Sequence, residues 1–512
     1  MQKKRFSMTG TAVMMGVMIL LAKVCGLLRD MLITASYGTG STAAIAYETA
    51  SKLPVTLFDL VIGGVVTAAF VPVFNELLVQ KGRDQALAFA QSYTRFILLV
   101  TTILALLGIA FASPLVRWMA PGLDPAAHAL ATELTRILFP MIIFTGLAFT
   151  FVGYLQSMGE FRIPAVISLV ANGIMVAYLL TLNRVFGIVG LAVAMLLGWS
   201  AQAFVQIPSL LRLGYRYKWC APLRTPPLKK AIVTTLPILI GTWVSPVCNL
   251  INTRLASSID GGRGLTVLGY ANRLYVILVG LFSFVATNLI FPLLSRAAAS
   301  GDTAQSVRLT RQSIKTLCFL IVPLTAGVFL LAEPFVALLY ERGAFTHADT
   351  LLTAEALRFY TLAMTASAVN EVLTKSFFAA LKPTLPMLSS LCAMAVNAAA
   401  ILLCGNAILA SSHPVAWIAS VAGIATVVNM LMNLALVRKI GGLGFTGADL
   451  WELIKIAVSA AAMSVVVYFL SGCFTGNLTR FAVGTVSGVL VYAGCVVLLR
   501  SETVAVILRR QK

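Results

Sequence analysis

Charge is scarce in this chain. Of 512 residues, 38 are Lys or Arg and 18 are Asp or Glu, so 11% are charged, where a soluble domain carries about 25%. That scarcity excludes a solvated globule, a disordered chain and a coiled coil, all of which need more charge and fewer apolar residues. Cysteine is sparse as well: eight residues with no C-x-x-C spacing, which argues against a disulfide scaffold and a structural metal site. Cys25, Cys248, Cys318, Cys392, Cys404 and Cys495 lie inside apolar runs and read as small core residues. Only three histidines occur, His128, His347 and His413, each in a polar break without a catalytic partner nearby in sequence. There is no phosphate-cradling glycine loop ending in Lys, no metal-ligand spacing and no nucleophile beside a base. An ATP-driven pump and a membrane hydrolase are therefore disfavoured, neither metal nor cofactor is expected, and the chain reads as a transporter rather than an enzyme. Its energy would come from an ion gradient, the membrane potential or the substrate's own gradient.

What is abundant is apolar surface. Hydrophobic residues make up 59% of the chain and the mean hydropathy is +0.93, as expected of a protein bathed in hydrocarbon. A bilayer core about 30 Å thick needs about 20 apolar residues per helix. Runs of that kind lie near residues 11–35, 43–77, 86–113, 131–157, 161–183, 186–212, 230–258, 266–298, 313–340, 354–381, 385–409, 413–437, 452–472 and 479–500. About fourteen transmembrane helices follow, in an all-α polytopic protein; the absence of a ten-residue dyad pattern argues against a barrel. The net charge of +20 reads as orientation and attraction to anionic lipid, not nucleic-acid binding. Lys and Arg gather at the N-terminus (Lys3, Lys4, Arg5), after the second run (Lys81, Arg83) and after the sixth (Arg212, Arg216, Lys218, Arg224, Lys229, Lys230). They gather again after the eighth run, after the twelfth and in the C-terminal tail, whereas alternate breaks hold single cations. Both termini are thus expected in the cytoplasm. The first run contains Lys23, Arg29 and Asp30, which speaks against a cleaved signal peptide.

The chain also resembles itself. Residues 23–40 parallel 246–263, residues 51–61 parallel 272–282, and the break before Pro164 parallels that before Pro386, all at offsets of 221 to 223. An offset spanning six crossings predicts two parallel repeats, pseudo-symmetric lobes around a central cavity. The expected division is a first lobe over 1–225, a second over 226–440, and an additional helix pair with its tail over 441–512. Ionised side chains in hydrocarbon are costly and mark function. The first two runs of each half hold most of them: Lys23, Arg29, Asp30, Glu48, Lys52, Asp59, Arg254 and Arg273. Glu48 and Lys52 sit one helical turn apart and can pair. Five cations against three acids leave a positive excess that suits an anion, and arginine forks match phosphate oxygens. Lys23, Arg29, Lys52, Arg254 and Arg273 are the candidate substrate-binding residues, with Asp30, Glu48 and Asp59 as supporting ion-pair partners. Glu371 and Lys375 read as a helical ion pair.

The segments KVCGLLRD with the YGTG turn, SKLP, AAFVPVF, NLINTRLASS, YANRLY and FPLLSRAA together resemble the lipid II flippases of the MurJ/MviN family, within the multidrug/oligosaccharidyl-lipid/polysaccharide exporter superfamily. The resemblance implies an inner-membrane protein of peptidoglycan synthesis. It would move an undecaprenyl-pyrophosphate-linked precursor from the inner to the outer leaflet by alternating access. By resemblance, Arg29 and Asp30 match the family's helix 1 pair, Arg273 its helix 8 arginine and Lys52 its basic residue before Leu-Pro, and Lys23 stands where the family has another arginine. The two last helices would then form a groove for the prenyl tail. The partners implied are the lipid-linked anionic substrate and membrane lipids, with other cell-wall synthesis proteins as candidates. Ala43, Ala44 and Ile45 stand where the family has an acid, Phe58 where it has an arginine, and Gly63-Gly64 where it has an acidic residue and glycine. Another polyprenyl-linked glycan as cargo, and a cation-coupled drug antiporter of the same superfamily, are the alternatives.

Overall fold

The computed structural model describes residues 8–61, 70–219, 221–233 and 243–502. Among these every regular element is helical. The chain divides into two compact units, Met1–Thr266 and Val267–Lys512. In the first, α1 (Met8–Tyr37) packs along α8 (Arg162–Thr181), and α2 (Thr42–Val61) packs on α6 (Pro125–Leu138). There α4 (Arg83–Ala110) and α9 (Asn183–Phe204) both flank α7 (Met141–Ser157). An aromatic core forms where α3 (Val71–Gln80), α4 and α7 meet: Phe70, Phe74, Phe89, Tyr93 and Tyr154 are all buried and lie ring to ring. A bilayer supplies no hydrophobic force between helices, so such interlocked rings contribute by close packing.

In the second unit, α10 (Thr303–Leu330) packs on α11 (His347–Leu362) and α12 (Met364–Ala379), while α13 (Thr384–Ala410) pairs with α14 (Pro414–Leu436). The last two helices, α15 (Gly447–Gly472) and α16 (Asn477–Leu498), lie against each other, and α15 also lies along α10. Ion pairs fasten this extra pair at both ends. Asp449, in the first turn of α15, caps its own helix with Thr446 and binds Lys315 at 2.6 Å and Arg311 at 3.3 Å. At the start of the following helix, Arg480 binds Glu333 at 2.9 Å.

Among the described residues the expected apolar runs lie on helices, and eight of these helices are long and apolar enough to cross a membrane. A ninth span is the pair α6 and α7, bent by 40°. The five remaining runs carry the charges singled out from the sequence: Lys23 with Arg29 and Asp30, Glu48 with Lys52 and Asp59, Arg254, Arg273, and Glu371 with Lys375. Three of them carry a helix-disturbing feature among the described residues. Pro54 lies inside α2, a π-helical stretch at Ala286–Ile290 breaks the run near 266–298, and Ala363 separates α11 from α12. Gly63-Gly64 lies outside the described residues.

The duplication is visible in the backbone. Helix boundaries recur helix for helix: α4 and α10 both have 28 residues and begin 220 apart, at Arg83 and Thr303. Gly38 and Gly261, 223 apart, both turn with a left-handed φ, 63° and 61°. After α7 the chain reverses through Gly159 at φ 79°, and 222 residues on, after α12, it does so through Leu381 at φ 57°. The closing hydrogen bonds match too: Glu160 N donates to Leu155 O at 2.8 Å and Lys382 N to Phe377 O at 3.0 Å. One cap of this type uses glycine and the other does not, although L side chains meet a penalty of about 1–2 kcal/mol in that conformation. Leu381 is 86% exposed and so gains little from its side chain. Leu381→Gly is therefore expected to stabilise the protein by about 0.5–1 kcal/mol after the extra chain entropy of glycine is counted. The check is thermal unfolding in detergent, where the midpoint should rise by about 1 °C.

Candidate functional site

The first unit holds two short charge arrays on its first two helices. Helix α1 ends at Tyr37, the chain turns through Gly38, and Ser41 accepts from Ala44 N at 3.1 Å as α2 begins. Two turns before the end of α1, Arg29 donates from Nε and Nη2 to Asp30 Oδ1 at 3.0 and 2.7 Å. Its third bond crosses to α8, where Asn172 Oδ1 accepts from Nη1 at 2.8 Å. Asn172 in turn donates to Ala22 O at 3.3 Å, and a Cβ on Gly26 would touch its amide at 3.4 Å. Gly26 thus lets α1 approach α8 closely enough for the bridge. On α2, Lys52 Nζ lies 3.1 Å from Glu48, one turn away.

Burial gives these pairs a direction. The carboxylate side chains are sunk, Asp30 5% and Glu48 2% exposed, while Arg29 and Lys52 remain 26% and 32% exposed. The acids lie behind and the cations lean outward. Three of the five N–H donors of Arg29 are engaged and two remain, and Lys52 keeps donors beyond its single bond. Buried carboxylates holding half-exposed cations offer a rigid donor set to an incoming anion, because the side-chain ordering cost is met in the folded protein. Lys23, half-buried on α1, forms no ion pair among the described residues, and Asp59 is half-buried near the far end of α2.

The other candidates have different surroundings. Arg254 is exposed and donates to Trp118 O at 2.7 Å, at the C-terminal turn of the helix Ala112–Met119, where a cation complements the exposed carbonyls. Nearby, the two repeat-related glycine turns are tied together within the first unit. Thr266 donates to Thr39 O at 2.6 Å, Arg263 to Thr39 Oγ1 at 3.2 Å, and Gly122 N to Ser257 Oγ at 3.2 Å. Arg273 lies in the second unit, on the helix Arg263–Val285, with its guanidinium 5.3 Å from the centre of the buried Tyr270 ring. Lys375 and Glu371 pair at 3.5 Å. Among the described residues no group of three or more potential ligands could hold a metal. Asn172 was the residue that reading the sequence missed. Its one signal is a carboxamide in the middle of an apolar run, which in a bilayer must find a partner.

A bundle of apolar helices in two repeated halves, with charged side chains set into the first two helices of each half, defines a polytopic transporter-type membrane protein. The sequence profile described as lipid II flippase MurJ matches residues 34–487, and the chain belongs to that family. A probable lipid II flippase MurJ of Rhizobium meliloti (strain 1021) is 28% identical over 87% of this chain and 84% of its own length. The corresponding protein of Vibrio cholerae serotype O1 is 27% identical over 89% and 87%. Among solved structures, a lipid II flippase MurJ in an inward closed conformation superposes with a TM-score of 0.83, at 23% identity over 96% of this chain and all of that one. An inward-facing multidrug resistance MATE family transporter of the MOP superfamily shares the fold with a TM-score of 0.66, at 13% identity over 84% of this chain and 99% of that one.

Proposed function

We propose that this chain moves lipid II, the polyprenyl-pyrophosphate-linked peptidoglycan precursor, from the inner to the outer leaflet by alternating access, with both termini in the cytoplasm. The two repeats, 1–225 and 226–440, are assigned as the moving halves and 441–512 as an accessory pair. The observation that carries this reading is Arg29, held from behind by buried Asp30 and from the side by Asn172, with two N–H donors left over. A pyrophosphate cannot leave water without paired cations, and a planar fork with spare donors meets its oxygens in a fixed geometry. Lys23 and Lys52 complete the set in the first unit. Arg273, the repeat equivalent of Lys52, is assigned the same duty in the second. Arg254, engaged at a helix end, serves the fold more than the ligand. A cationic drug finds little here, since Asp30 and Glu48 are buried behind positive charge.

The test uses purified full-length protein in vesicles loaded on both leaflets with labelled lipid II, and an external reagent that modifies only outward headgroups. The expected result is modification beyond one half of the label, at a rate that rises with protein. A plateau at one half, with protein shown to be inserted, contradicts the reading.

A further inference from the structure

Between the two repeats lies a stretch with an unusual charge balance. Residues 205–233 contain Arg212, Arg216, Lys218, Arg224, Lys229 and Lys230 and no Asp or Glu. Among the described residues only Lys230 meets an acid, Glu76 at 2.6 Å. Orientation alone would be served by a loose basic loop. This loop is instead fixed to α4 by four side chains of one helix. Arg83 donates to Leu213 O at 2.7 Å, Gln91 to Arg216 O at 2.7 Å, and Arg95 to Ala221 O at 2.6 Å. Thr94 accepts at 2.8 Å from Tyr215, which is 4% exposed and plugged among Phe151 and Tyr154. Burial pushes the Tyr215 hydroxyl above the usual phenol range, so it stays a neutral donor. A left-handed turn at Gly214 (φ 76°) sets the loop off from the helix before it.

With the backbone pinned, the side chains that follow all face outward. Arg216, Tyr217, Lys218 and Trp219 are consecutive and exposed, Trp219 by 71%, and the Tyr217 and Trp219 rings meet edge to face at 6.2 Å. Amphipathic rings beside cations are the composition of an interfacial anchor, and anionic lipid is its electrostatic complement.

We propose that residues 212–219 and 221–224 form a rigid docking platform for anionic phospholipid headgroups, with Arg212, Arg216, Lys218 and Arg224 binding phosphate and Tyr217 and Trp219 seated at the headgroup level. The proposal rests on the cytoplasmic assignment of this loop for its place in the cell. The experiment avoids that dependence by giving both leaflets the same lipids and by reading binding rather than transport.

Full-length protein and its Trp219→Phe variant are reconstituted in nanodiscs containing brominated phosphatidylglycerol or brominated phosphatidylcholine at equal bromine. The difference between the two proteins isolates Trp219. Expected is at least about twofold stronger quenching by phosphatidylglycerol. Each basic side chain near an anionic surface contributes about fivefold to such a preference, and the preference should fade as salt is raised. The triple variant Arg216→Gln, Lys218→Gln, Arg224→Gln, which leaves the Tyr215 plug and the pinned backbone intact, should abolish it. Equal quenching by the two lipids, or a preference untouched by the triple variant, overturns the proposal. So does binding of a soluble protein through these side chains without any lipid preference.

Discussion

Arg29→Ala is expected to lower lipid II flipping in reconstituted vesicles by about 100-fold, the equivalent of about 2.7 kcal/mol for a desolvated charge contact. Taken alone this variant is ambiguous, because it also leaves Asp30 buried without its guanidinium partner. Breaking a buried pair from one side costs about 3–5 kcal/mol, and a poorly folded protein does not flip either. The double variant Arg29→Ala, Asp30→Asn removes the orphaned charge. It should accumulate in the membrane at close to the normal level and still fail to flip, and Arg29→Lys should retain charge but lose the fork and fall about tenfold. Near-normal flipping by the double variant would mean that Arg29 serves only Asp30.

The second large effect concerns packing. A Cβ on Gly108 would lie 2.1 Å from the Phe139 ring. Phe139 is fully buried at the junction of α6 and α7, where those helices bend by 40°. The ring is enclosed on all sides, so a larger side chain at 108 must either expel it or separate α4 from the bend. Gly108→Val is expected to cost about 3 kcal/mol, the upper end for overpacking, and to appear as loss of membrane-inserted protein and a lowered unfolding midpoint. Phe139→Ala in the same chain should recover at least about 1 kcal/mol of that loss. A Gly108→Val protein as stable as the parent would show that the close approach is not present in the membrane.

The fold and the site were legible in the sequence to different degrees, for physical reasons. Helices in a bilayer must satisfy every backbone group internally, so apolar length alone located the long helical runs seen among the described residues. Local pairs were equally accessible: Glu48 with Lys52 and Glu371 with Lys375 follow from one helical turn, and Arg29 with Asp30 from adjacency. The partner that fixes the direction of Arg29, Asn172, lies 143 residues away, and no periodicity connects them. The helix interruption at Ala363 was also hidden, since no proline or glycine flanks it. Nor does composition reveal that the helix Val244–Ala256, second-repeat by sequence, packs on α2 and on Ala112–Met119 and so belongs to the first compact unit. The glycine turns were visible as turns, but their ties through Thr39, Ser257 and Thr266 depend on tertiary approach.

The central claim is that outward-leaning cations backed by buried acids exist to receive a diphosphate. Its most direct measurement is the equilibrium affinity of the purified protein for a polyprenyl diphosphate against the matching monophosphate, for the parent chain and for Arg29→Gln with Lys52→Gln. The account predicts at least about tenfold tighter binding of the diphosphate by the parent and a ratio near one in the double variant. Equal affinities in the parent, or a diphosphate preference that survives the substitutions, would contradict it.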